Sequence, residues 1–96
     1  MTFQYDKQAD ALAIDLGDPD APSMRTVQID PGTLVDLDAR GQLISIEVIH
    51  PARHWPLDQI LEQYAIDPED EAVLRSLWAE GTPYPFESTE RELLPV

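Results

Sequence analysis

The feature that most constrains this chain is a regular series of reversals between short alternating runs in residues 5–50. They stand as Tyr5-Asp6-Lys7-Gln8-Ala9-Asp10-Ala11-Leu12, then Asp30-Pro31-Gly32, then Asp38-Ala39-Arg40-Gly41. Between them Phe3 and Tyr5, then Leu12, Ile14 and Leu16, then Val27 and Ile29, Val35 and Leu37, and Ile44, Ile46 and Val48 alternate with polar neighbours. A period of two places every second side chain on one face of a strand, so these runs read as half-buried strands joined by tight turns. The stretch Gly17-Asp18-Pro19-Asp20-Ala21-Pro22 is a longer loop, because its prolines cannot donate to a central ladder. The expectation is a four- or five-stranded antiparallel meander over residues 2–49. One face is apolar, and the other carries Gln4, Asp15, Gln28, Asp36, Ser45 and Glu47.

An apolar sheet face must be covered, and the second half of the chain supplies helices of the right pattern. Leu57, Ile60, Leu61 and Tyr64 follow Pro56 at the spacing of one helix face. Asp67-Pro68-Glu69-Asp70 has the form of an N-cap, a first-position proline and an acidic first turn, with Val73, Leu74, Leu77 and Trp78 as the apolar stripe. Gly81 marks a stop. The fold class expected is therefore α+β: an antiparallel meander packed by two helices near residues 56–65 and 68–80. Residues 81–96, interrupted by Pro83 and Pro85, would form an extended arm. At 96 residues the chain is long enough for a single modest core, so one domain is expected.

Composition narrows the function classes. Nineteen acidic residues against six basic ones give a net charge of −13, spread along the chain with no acidic tail. Phosphate binding depends on clustered Lys and Arg, and the cations here are scattered, so direct nucleic-acid binding is disfavoured. A basic partner would be attracted instead, although charge also serves solubility. The absence of cysteine removes thiolate chemistry and Cys-based zinc sites and suits a reducing cytoplasm. No stretch approaches the ~20 apolar residues of a membrane span.

Residues 5–54 resemble the bacterial family catalogued as domain of unknown function 2283. The resemblance rests on Tyr5-Asp6, two variable residues, Ala9-Asp10-Ala11-Leu12, the Asp30-Pro31-Gly32 reversal, Val35-Asp36-Leu37-Asp38 and the strand from Gly41 to Glu47. It implies a small β-meander followed by a helix and brings no established activity. Similarity in size to the partners of small toxin-like proteins suggests an antitoxin-like role. The helical extension beyond His54 is not covered by the resemblance.

Four constellations are candidates for chemistry. Asp36, Asp38, Gly41 and Glu47 fit positions of a calcium-loop template, but Arg40 stands where an oxygen ligand belongs and the flanks alternate as strands. His50 and His54 are spaced for one helix face, as a metal pair would be, yet Pro51 is expected to push His50 into extended backbone. Asp36, Asp38, Glu47, His50 and His54 are accordingly weak metal candidates, and no metal or cofactor is assigned. Asp6 and Asp10 bracket the first reversal, where carboxylates accept backbone N–H groups; with Asp30 or Asp38 they would otherwise be paired acids for acid–base or magnesium chemistry. His54 with Asp58 lacks a placed nucleophile. Trp78, Tyr84 and Phe86 are the candidate partner-binding aromatics, the last two in the proline-rich arm. The reading that results is a non-enzymatic interaction module, homodimeric, with a basic protein partner; the alternative is a small metal-dependent or acid–base enzyme using the hairpin carboxylates.

Overall fold

The computed structural model describes residues 1–16, 22–51 and 54–77. Five strands form one antiparallel sheet: β1 (Thr2–Asp6), β2 (Ala11–Asp15), β3 (Arg25–Asp30), β4 (Thr33–Leu37) and β5 (Leu43–Ile49). Two helices follow, α1 (Leu57–Gln63) and α2 (Pro68–Leu77), so the chain is α+β. None of its described helices is long and apolar enough to cross a membrane. The sheet order is β1-β2-β5-β4-β3. The hairpin β1–β2 and the meander β3–β4–β5 each pair in sequence order, and β2 joins them by pairing with β5. The proline-containing connection after β2 thus leads across the sheet to its far edge, leaving β5 in the middle.

Alternation sorts the strands into two faces. Phe3 and Tyr5 stand beside Ile14 and Leu12 across β1–β2, Leu12 and Ile14 beside Val48 and Ile46 across β2–β5, and Val35 beside Ile46 across β4–β5. These residues are buried, and with Trp55, Leu57, Ile60, Leu61 and Leu74 from the helical half they form one continuous core. Tyr64 and Val73 pack against it from the rim. Trp55 is a core residue, at 4 % exposure. The expected phase of β5 slips at one point: an irregularity between Asp36 and Leu37 pairs Leu37 with Leu43, so Leu43 is buried and Ile44 only half-buried.

The helix ends follow local chemistry. The Asp67 carboxylate accepts the Glu69 N–H at 2.9 Å and Pro68 opens α2, as an N-cap and first-position proline should. Pro56 caps α1 without a side-chain acceptor, and the helix begins at Leu57. The Arg75 guanidinium reaches Glu71 at 2.9 Å and Asp58 at 3.1 Å, linking α2 to α1 at the surface. The connection that follows α1 is tied back to the sheet by the Leu43 N–H, which donates to the Ala65 carbonyl at 3.1 Å.

Candidate functional site

The carboxylates that sequence offers for chemistry are largely occupied in holding turns. After β1 the Asp6 carboxylate accepts the N–H groups of Gln8 and Ala9 at 3.0 and 3.2 Å. In the β3–β4 turn Asp30 accepts the Gly32 N–H at 2.9 Å. Between β4 and β5 Asp38 accepts the N–H groups of Arg40 and Gln42 at 2.8 and 2.9 Å, while Gly41 takes a φ of +80° that only glycine adopts at no steric cost. These bonds favour the charged form: the Gln42 N–H foremost, joined by the Arg40 N–H and guanidinium, outweighs the opposing effect of burial and holds the Asp38 carboxyl below its usual range.

Asp36 has a different environment. It lies on the face away from the core, between Thr26 on β3 and Ser45 on β5. The hydroxyls of Thr26, Ser45 and Ser23 donate to it, Ser45 at 2.7 Å and Ser23 at 3.3 Å. Partial burial works to raise its pKa, but the three hydroxyl donors outweigh it and the carboxyl titrates below its usual range. The calcium-loop residues therefore have other work. Asp36 is engaged by hydroxyls and Asp38 by the turn, and the Arg40 guanidinium lies 3.6 Å from the second Asp38 oxygen, in the place a cation would take. Among the described residues no three His, Asp or Glu side chains, His50 and His54 included, converge as a metal-holding group.

Asp10 does not cap its turn as expected. It takes a φ of +50° and aims its carboxylate across the sheet end, where Tyr5 Oη donates to one oxygen and His50 Nδ1 meets the other at 2.6 Å. The Tyr5 hydroxyl first, and His50 second, lower the Asp10 pKa. His50 is not extended either: its φ is +57° in spite of Pro51. The cause is a second bond in the same place, the His50 N–H donating to the Asp10 carbonyl at 2.7 Å. Two non-glycine residues in the left-handed region are thus held by a paired backbone and side-chain bridge. The bridge pins the β1–β2 turn to the end of β5, and the imidazole remains 68 % exposed. His54 is also exposed and Asp58 is engaged by Arg75. The Tyr5-Asp10-His50 cluster was not legible in the sequence; only the adjacent Ala11-to-Ile49 pairing of β2 with β5 brings its parts together.

The second face of the sheet is where exposed chemistry gathers. Neither described helix covers it. Its strand positions, among them Gln4, Ala13, Asp15, Thr26, Asp36 and Glu47, include no Lys or Arg. Asp15 and Asp36 flank Ser45 on neighbouring strands, with Glu47 two residues further along β5. Unlike Asp6, Asp10, Asp36 and Asp38, the carboxylates of Asp15 and Glu47 make no hydrogen bond or ion pair among the described residues. Trp78, Tyr84 and Phe86 lie outside the described residues.

No curated protein and no solved structure matches the chain. A family model described as protein of unknown function, DUF2283, matches residues 2–50. That interval spans the whole sheet, including the Tyr5-Asp10-His50 bridge and the acidic face. The chain therefore belongs to the DUF2283 family.

Proposed function

We propose that this protein is a non-enzymatic protein–protein interaction module whose partner is basic, with antitoxin-like neutralisation as one form of that role. The observation that carries the reading is the division of labour among the carboxylates. Asp6, Asp30, Asp36 and Asp38 are engaged by donors from their own chain, which is what fold-maintaining acids do and leaves little for acid–base turnover. A net charge of −13 then attracts and steers a cationic protein. Native mass spectrometry of the chain captured gently from its own cells tests the reading, because one spectrum reports subunit number, bound metal and any stoichiometric partner. The expected result is a homodimer carrying a small basic protein that dissociates as salt is raised. A partner-free chain with a bound metal contradicts it.

One observation favours a second reading, a small acid–base enzyme. A carboxylate bonded to one imidazole nitrogen orients the other for proton transfer, and His50 is so held by Asp10. On this reading His50→Ala abolishes a turnover that Asp36→Asn leaves intact; under the interaction reading neither substitution changes a reaction.

A further inference from the structure

We infer that the open face of the sheet is the docking surface of this module, and that its occupant is an extended, arginine- or lysine-bearing segment of a basic partner. The inference rests on the proposed interaction reading and gives it a place. A trough runs along β2 on this face, with a volume of about 730 Å³. Its floor is Ala11 and Ala13, its walls Gln4 and Asp6 on β1 and Glu47 and Ile49 on β5. Neighbouring strands are spaced at about 4.8 Å, so the walls stand roughly 10 Å apart, wide enough for an extended chain or a long side chain laid between them.

The chemistry of the trough selects a cation on an alkyl stem. Methyl groups and the Ile49 side chain suit the methylenes of Arg or Lys, while the charged head seeks a carboxylate at the rim. The ends of the trough differ. Lys7 lines the turn end; the acidic pole of Glu47, Asp15 and Asp36 lies toward the other. Asp15 and Glu47 are the carboxylates there without partners of their own among the described residues, so they meet an incoming cation with no internal bond to break.

Charge disfavours the two other candidates for this face. A second copy docked here face to face would set its own Asp15, Asp36 and Glu47 against the same carboxylates. Residues 78–96 carry Glu80, Glu87, Glu90 and Glu92 against Arg91, so this segment is acidic as well. Like charges brought together across a sheet face oppose docking.

The test uses the full chain, labelled for backbone amide resonances, titrated with a synthetic peptide of alternating arginine and serine at about 0.1 M salt. We expect saturable shifts concentrated at Gln4, Ala11, Ala13 and Glu47. The double variant Asp15→Asn with Glu47→Gln should bind about fivefold to tenfold more weakly, and the charge-matched pair Glu62→Gln with Glu69→Gln on the helices less than about twofold. Shifts centred on α1 and α2, or equal losses from both pairs, overturn the surface and leave the basic-partner reading standing. No saturable shift in the wild-type chain overturns that reading and the surface together. The wild-type map needs no substituted protein, so a variant that fails to fold does not blunt the test.

Discussion

The two faces of the sheet are built from the same strands by opposite rules. On the covered face Leu12, Ile14, Val35, Ile46 and Val48 are fully buried in one core with residues of the helical half, so each side chain is fixed by its neighbours' volume. The open face carries small, polar and acidic residues together with Leu34 and Ile49. Its carboxylates fall into two kinds, those such as Asp36 with internal donors and those such as Asp15 and Glu47 without any among the described residues. A sheet with one stabilised face and one face of unspent charge is organised for stability on one side and for encounter on the other.

Substitution across the two faces should expose this contrast most sharply. Ile14→Ala, which opens a cavity at the centre of the covered face, should destabilise the chain by about 3 kcal/mol in denaturant unfolding. Asp36→Ala, which deprives three hydroxyls of their acceptor at a half-exposed site, should cost about 1 kcal/mol in the same assay. A loss at Asp36 equal to that at Ile14 would break the comparison, making the open face a second core. Gly41→Ala isolates backbone strain: a Cβ there meets nothing within 4 Å, so the expected loss of about 1 kcal/mol is the cost of the left-handed φ alone. Glu47→Gln should move stability by less than about 0.5 kcal/mol, since it has nothing to release.

Proton linkage sharpens the division among the acids. The folded-state pKa values of Asp10, Asp36 and Asp38 lie below their usual values. Each therefore adds stability that is fully present above the ordinary carboxylate range and is lost as pH falls through the lowered folded value. Unfolding midpoints measured from neutral pH down into the acid range should fall accordingly. Tyr5→Phe removes the leading cause of the Asp10 shift, so a carbon-detected titration should show the Asp10 carboxyl moving up toward its ordinary value, and the acid loss of stability should shrink.

The covered face was legible because it obeys a period. Alternation marked Phe3, Tyr5, Leu12, Ile14, Val35, Ile46 and Val48, and the spacing of Leu57, Ile60 and Leu61 marked the helix that covers them. It failed at Ile44, where an irregularity shifts the ladder by one residue, a feature no local pattern announces. The strand order was equally hidden, because the pairing of β2 with β5 joins segments some thirty residues apart. The same pairing explains the missed bridge. Tyr5 and Asp10 are visible as a turn, but the third member, His50, arrives through the sheet. The turn carboxylate Asp6 was legible from Asx-turn chemistry, whereas the lack of partners at Asp15 and Glu47 among the described residues emerges only when every donor nearby is located.

The measurement that tests the account most directly is retention of the natural partner by two charge-matched variants captured from cells and weighed intact. With Asp15→Asn and Glu47→Gln the account predicts loss of a basic partner from the complex, while Glu62→Gln with Glu69→Gln retains it. Retention by both pairs, or equal loss from both, would contradict the claim that the open face of the sheet is where this protein meets its partner.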